Sequence, residues 1–507
     1  MSTNSGVREA TVPSVFRNLS NSAAVQIIGL LLLFSMAAWY EAFHLSALAD
    51  SDIWWHLRTG LWISQNYGVP HNGLFSQHAS LPWIDSSWGF DLLTAAAYRI
   101  LGLRSLPALL MAFQVAIAAS LFRLARGSRQ NFWSAVLLVA VAQYCISPLP
   151  LRPALCSILL LALELAVLFN SRRTGGARAL YCLPVLFIAW VNLDRQFSYG
   201  LLALALFCAA LSAEYFLRRA GVAWFETGSS AVTPARLGAV FVACLLATLV
   251  SPYTYRLHEL VWRSATSSAI DWYLRELHAI RFRQPQDFLL MLLVMTAFFA
   301  LGRRRSRDLF PLALMVVCAV ISFRFQRDSW LVVVASVGVI GNALATSQSE
   351  EARKTNQRIS WTEKLVTAGL VLIMLAAFAL RISVRQEVLM AKVSKSFPVH
   401  ASNYIRQNRL PQPLFNSYFW GGFLTWYLPE YPVAIDGRAD LYGDAINIPY
   451  FKLTHAEIPL ESHPDFAQAQ TIVLEANSPI AEALATLPGF RVAYRDEQAM
   501  VLVREER

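Results

Sequence analysis

The chain has 507 residues, of which 56% are hydrophobic and only 15% charged. That balance excludes a protein folded around one water-excluding core and puts most of the chain in lipid. The formal net charge of +10 does not point to nucleic acid as a partner, because the arginines fall in short clusters between apolar runs, the pattern that marks the cytoplasmic side of a membrane.

Residues 1–23 are polar and read as a cytoplasmic tail ahead of a retained first span, not as a removed signal peptide. Apolar runs of spanning length lie near 24–43, 105–122, 131–148, 153–170, 179–193, 198–217, 236–252, 286–302, 309–323, 329–346 and 365–381. They predict an α-helical polytopic membrane domain over 24–381 with about eleven spans. The six cysteines (Cys145, Cys156, Cys182, Cys208, Cys244, Cys318) all fall inside apolar segments without metal-binding spacing. They read as small buried hydrophobes, and neither a disulfide framework nor a zinc site is expected.

The first outer loop, 44–104, opens with ADSDIWWHLRTG, Ala49 to Gly60, and ends in a shorter apolar stretch, 88–103, that carries Asp91 and Arg99. Charge decides whether that stretch crosses. If it lies in the interface, the basic clusters at Arg123, Arg126 and Arg129, at Arg172, Arg173 and Arg178, at Arg218 and Arg219, at 303–307 and in EEARKTNQR all fall on one side. We therefore expect an interfacial helix at 88–103, a cytoplasmic N-terminus, and an outer face built from the first loop, 148–153, 192–197, 251–287, 324–328 and the C-terminal region.

After Arg381 the composition becomes that of a soluble domain, and 382–507 reads as a small extracytoplasmic α/β domain. An amphipathic stretch over 384–408 leads into strand-like runs at 413–416, 432–435, 471–475, 491–494 and 500–504. Helical patterns lie at 420–428 and 480–487, and Asp496 to Gln498 supplies the last hairpin turn.

Carboxylates just outside a membrane are costly to bury and are often functional. Asp50 and Asp52 follow the first span so closely that its end fixes their depth, and either suits the general-base task of deprotonating an acceptor hydroxyl. His56 shares a helical face with Asp52 and is a candidate to orient the base or touch a phosphate. Asp85, in WIDSSW, is a third acid and equally a helix N-cap. Arg152 in PLRP, Arg195 in NLDRQ, Arg256 in SPYTYRLHE, and Arg324 and Arg327 in FRFQRD lie on outer loops where topology does not ask for positive charge. Their rigid forks suit a lipid-linked phosphate. No P-loop, Rossmann, GxSxG or HExxH pattern occurs, so nucleotide hydrolysis, nicotinamide chemistry, serine hydrolysis and zinc proteolysis lack their usual marks.

DSDIWWHLRTGLWI, PHNGLFS, PWIDSSWGFDLL, PLRP, WVNLDRQF, SPYTYRL and FRFQRD, with the C-terminal FNSYFWGGFLTWYLP and YPVAIDGRADLYG, resemble in order the blocks of a bacterial family of polytopic proteins. That family is similar to the GT-C glycosyltransferases, the class of protein mannosyltransferases and oligosaccharyltransferase catalytic subunits. The resemblance implies that an acid of the first outer loop, Asp52 or Asp50, is the catalytic base or a metal ligand. It also implies a polyprenyl-phosphate or polyprenyl-diphosphate sugar donor and a bacterial inner-membrane location, and it admits a divalent metal without requiring one. It adds Asp194, Trp420, Asp436 and Arg438 to the substrate-binding candidates. Asp194 and Arg195 stand where relatives tend to show histidine and glycine, and the tryptophan-glycine block lacks the acid of the oligosaccharyltransferase motif, which argues against recognition of a peptide sequon. The expected activity is transfer of a sugar from a lipid carrier to an acceptor outside the membrane. The rivals are a transporter or lipid-handling protein, or a scaffold with a partner-binding outer domain; charges gathered at the outer ends of spans favour surface chemistry over a midplane transport site.

Overall fold

The computed structural model describes residues 22–126, 132–222, 233–266, 273–303, 308–346, 361–382 and 385–505. Most of the expected N-terminal tail, Arg129, residues 304–307 and EEARKTNQR lie outside the described residues.

Every apolar run forms a helix. In chain order α1 is Ala23–His44, α2 Ile53–Asn66, α3 Trp88–Leu101, α4 Ser105–Ala125, α5 Phe132–Ile146, α6 Ala154–Thr174 and α7 Leu183–Leu193. There follow α8 Phe197–Arg219, α9 Pro234–Ala247, α10 Arg256–Thr266, α11 Pro285–Arg303, α12 Leu309–Arg324, α13 Trp330–Thr346 and α14 Trp361–Ile382. Among the described residues, six stretches are long and apolar enough to cross a membrane: Ala23–His44, Trp88–Ala125, Ala154–Thr174, Phe197–Arg219, Pro285–Arg303 and Gln326–Ala345. Five apolar helices are shorter: Phe132–Ile146, Arg178–Leu193, Pro234–Ala247, Leu309–Arg324 and Ala368–Phe378. The stretch expected to lie in the interface forms α3, which a short 3-10 turn at Gly102–Arg104 separates from α4.

The bundle is packed from the inside by α4, α6 and α13, whose Leu121, Leu165, Phe169 and Val337 are buried. Leu32, Leu137, Val185, Phe299 and Leu372 stay exposed, as side chains facing lipid do. All six cysteines are free, and Cys182 is exposed, so the expectation of burial fails there. The reason is local: Cys182 ends a 3-10 turn, Arg178–Cys182, ahead of α7, and its Sγ donates to the Ala179 carbonyl at 2.9 Å.

The C-terminal domain contains α15 Gln386–Val393, α16 Val399–Asn408, β1 Leu414–Asn416, α17 Tyr418–Tyr427, α18 Ala439–Thr454, α19 Pro464–Gln468, β2 Thr471–Glu475, α20 Pro479–Thr486, β3 Phe490–Arg495 and β4 Ala499–Arg504. The sheet order is β1-β2-β4-β3, with β1 parallel to β2 and the other pairs antiparallel. The central strands TIVLE and AMVLVR are apolar between their ends and buried except at the last residue, whereas FRVAYR on the edge is exposed or half-buried throughout.

Two expectations are corrected. Residues 432–435 form no strand; Val433 instead bridges Ser76 of the first outer loop, and its carbonyl accepts from Gln77 N at 2.9 Å. The helix α18 was not expected, because Gly443 and Pro449 interrupt its pattern. The backbone does break at Gly443, yet Leu441, Tyr442, Tyr450 and Phe451 on either side fill one apolar core.

The C-terminal domain and the first loop share a core. Trp54 of α2 is fully buried, with Phe397, Phe423 and Trp426 at ring-centroid distances of 5.7, 5.5 and 4.7 Å. Truncating a buried aromatic of this size costs about 3–5 kcal/mol. Trp54→Ala is therefore expected to lower the thermal midpoint of the purified protein and to expose the C-terminal domain to protease, while Trp54→Phe loses much less; thermal unfolding followed by limited proteolysis checks both.

Candidate active site

The end of α1 fixes the acids. The buried Glu41 carboxylate accepts from Ser46 N at 2.8 Å, from Ala47 N at 3.1 Å and from the Ser46 hydroxyl, which bends the chain through a 3-10 turn, Ser46–Ala49. Asp50 and Asp52 emerge from that turn at the start of α2.

The two acids have different work. Asp50 Oδ1 accepts from the Asp52 and Ile53 amides at 2.8 and 3.3 Å, so it satisfies the free N–H groups at the start of α2. Its Oδ2 accepts from Arg152 Nε at 3.0 Å, and its side chain is 7% accessible. Asp52 keeps 21% of its side chain accessible, with Oδ2 at 3.2 Å from Arg152 Nη1 and Oδ1 accepting from Ser51 Oγ at 3.2 Å. Removal from water pushes the Asp52 carboxyl up to about 6; Arg152 opposes that rise and Asp50 reinforces it.

Arg152 is thus drawn to the acids. It also donates from Nη1 to Glu276 Oε2 at 3.0 Å, so its guanidinium lies among three carboxylates and is not a free phosphate fork. Glu276, from the turn Arg275–Leu277, has no motif around it that marks it; only folding brings it here.

His56 lies one turn beyond Asp52 but points elsewhere. Its Nδ1 is 2.6 Å from Asp91 Oδ1, both groups are buried, and burial pushes the imidazole down to about 4. The hydrogen bond between His56 and Asp91 holds α2 against α3. Asp85 is buried behind them; its Oδ1 accepts from Ser87 N at 3.1 Å and Ser87 Oγ at 3.3 Å ahead of α3, and burial holds its carboxyl well above the usual range.

The remaining candidates divide into a rim and an interior. On the rim Arg195 Nη1 is 4.0 Å from Asp440 Oδ1 of the outer domain, and Arg327 Nε is 3.5 Å from Asp328 Oδ1. Asp328 is fixed in turn by Gln196 Nε2 at 2.8 Å and Tyr199 OH at 2.6 Å. Arg256 is exposed in the first turn of α10, and Arg324 is exposed over the Phe325 ring at 4.8 Å. In the interior Asp194 accepts from Ser157 Oγ at 2.5 Å, Trp420 Nε1 donates to the Ser396 carbonyl at 3.1 Å, and the buried Arg438 grips Asp436 through Nε at 2.9 Å and Nη2 at 2.6 Å. Arg438 also lies over the Trp83 ring at 4.8 Å, so this pair fastens the outer domain to the first loop.

Two glycines of the outer domain close onto Ser51 and Asp52. A Cβ on Gly422 would stand 2.5 Å from the Ser51 carbonyl oxygen, and one on Gly437 would stand 2.2 Å from Asp52 Oδ1. The Trp55 indole N–H, on the same side of Gly437, is buried without an acceptor among the described residues. An accessible carboxylate beside an unused donor is an arrangement suited to a hydroxyl or phosphate oxygen. Gly437→Ala is expected to displace the Asp52 carboxylate and open the seam, lowering the thermal midpoint of the purified protein; its melting curve checks it.

The architecture is a GT-C-like membrane fold: an α-helical bundle whose first long loop is covered by a C-terminal α/β domain. Among solved structures, the chain is similar to the archaeal oligosaccharyltransferase AglB of Archaeoglobus fulgidus in complex with an inhibitory peptide and a dolichol-phosphate, at TM-score 0.51 and 10% identity over 96% of this chain and 74% of that one. The apo form of the Archaeoglobus fulgidus oligosaccharyltransferase gives TM-score 0.51 and 12% identity over 89% and 69% of the two chains. ArnT of Cupriavidus metallidurans bound to undecaprenyl phosphate matches at TM-score 0.44 and 13% identity over 97% and 98%. No protein-family model and no curated protein sequence matches the chain.

Proposed function

We propose that the protein is a membrane glycosyltransferase that moves a sugar from a polyprenyl-phosphate or polyprenyl-diphosphate carrier to an acceptor on the outer face of a bacterial inner membrane. The observation that carries this reading is Asp52: a partly accessible carboxylate raised to about 6, beside an unused Trp55 N–H, at the seam of a GT-C-like bundle and its outer domain. The lipid carrier is supported by the dolichol-phosphate in the archaeal oligosaccharyltransferase complex and by Arg195 and Arg327 on the rim of the same seam.

In this reading Asp52 takes the proton of the acceptor hydroxyl as its oxygen attacks the anomeric carbon. The bond from that carbon to the carrier phosphate breaks, and the phosphate leaves with the bonding pair beside the rim arginines. Asp50 positions Asp52 and Arg152 through the start of α2. The outer domain covers the site and selects the acceptor. Purified protein incubated with a panel of polyprenyl-phosphate sugars is expected to release the carrier phosphate; no release from any donor, with or without added acceptors, turns the reading toward a transporter or scaffold.

Loss of a general base costs about 10²- to 10⁴-fold in rate. Asp52→Asn is therefore expected to retain folding and donor binding while losing turnover by that factor. A base works only when ionised, so native turnover should fall as pH drops through about 6 and level off above it. A flat pH profile together with an active Asp52→Asn variant would exclude Asp52.

In the proposed orientation α3 lies in the interface and the first loop faces outward. In a cysteine-free background Gln65→Cys, at the exposed end of α2, is expected to react with an impermeant thiol reagent from outside, and Ala220→Cys, beyond α8, only after permeabilisation. The reverse pattern inverts the topology.

A further inference from the structure

The GT-C resemblance admits a divalent cation beside the first-loop acids, and the residues here do not fit one. We infer that Arg152 occupies the place of that cation, as a fixed, covalently attached positive charge for Asp50, Asp52 and Glu276. The guanidinium takes Asp50 Oδ2 at 3.0 Å, Asp52 Oδ2 at 3.2 Å and Glu276 Oε2 at 3.0 Å. Asp50 Oδ1 is taken by the first amides of α2, which leaves Asp52 Oδ1, with its single long bond from Ser51 Oγ, as the one aspartate oxygen open to a proton.

The oxygens that an ion would need are thus the ones that Arg152 holds. A calcium-like ion needs six or more oxygens at close range, and a magnesium-like ion needs a near-octahedral set. Among the described residues no three His, Cys, Asp or Glu side chains converge closely enough to hold a metal. Three carboxylates spread around a planar, multi-donor group are instead what an arginine requires, because its N–H bonds diverge.

Arg152 is also built to stay. It lies between Pro150 and Pro153 in PLRP, its amide donates to the Pro150 carbonyl at 3.0 Å, and its own carbonyl accepts from Leu155 N at 3.1 Å at the start of α6. A divalent ion entering the cluster would meet this charge at contact distance and would have to expel the side chain from three partners at once. The positive charge that keeps Asp50 and Asp52 together is therefore independent of metal supply.

This inference rests on the proposed function only for the place of Asp52 in the chemistry, and Mn²⁺ binding is read without any transfer reaction, so the two fail separately. Full-length protein, freed of metal by a chelator, is titrated with Mn²⁺ and the free ion followed by electron paramagnetic resonance. The native protein is expected to bind no Mn²⁺ at this site. Arg152→Ala, or Arg152→Met if the smaller side chain unfolds the loop, is expected to gain a Mn²⁺ site at least about tenfold tighter than any weak native binding. Adding Asp50→Asn to either variant should remove it. Stoichiometric Mn²⁺ binding by the native protein that Asp50→Asn or Glu276→Gln abolishes would overturn the inference, and so would a folded Arg152 variant that binds no Mn²⁺.

Discussion

The structure depends on the close approach of the C-terminal domain's backbone to Ser51 and Asp52. Gly422 and Gly437 face the Ser51 carbonyl and the Asp52 carboxylate at distances that leave no room for a side chain. Around this contact the apolar seat of Trp54 and the stacking of Arg438 over Trp83 resist separation, since a separated domain would expose aromatic surface and lose the cation–π contact. The first loop and the outer domain are accordingly one packed unit, although more than 350 residues of chain lie between Asp52 and Gly437.

That contact explains why two acids two residues apart differ. Asp50 faces back toward the start of α2 and Arg152, where every oxygen has a donor. Asp52 faces the seam, where one oxygen has only the Ser51 hydroxyl and a fifth of the side chain stays accessible. Partial desolvation without full hydrogen bonding raises a carboxyl, while the arginine keeps the rise moderate. A carboxyl raised above its ordinary range results from position alone.

The helix α6 links this seam to a second charge cluster. Arg152 precedes its first turn, and Arg172 in its last turn holds Glu214 of α8 at 2.5 Å and Asp308, the N-cap of α12, at 2.9 Å. A helix of 21 residues spans about 30 Å, the thickness of a bilayer core. Charged clamps at both ends of one buried helix resist its sliding along the bundle axis, because each clamp would have to surrender paired groups.

The sequence by itself determined the membrane class, a helix at every apolar run and four of five strand-like runs, because apolar length and hydrophobic patterning are local signals. The tertiary structure decided the rest. Nothing around Glu276 in YLRELHA distinguishes it from the other acids of its loop; it joins Arg152 only through folding. Arg152, read as a phosphate fork, is taken by carboxylates, and residues 432–435, read as a strand, pair with the first loop. Composition cannot separate these outcomes, since an arginine suits phosphate and carboxylate alike and an apolar run suits any buried backbone. Which partner each one meets is set by long-range packing: the seam brings positions 52, 152, 276 and 437 together, and no window along the chain contains them.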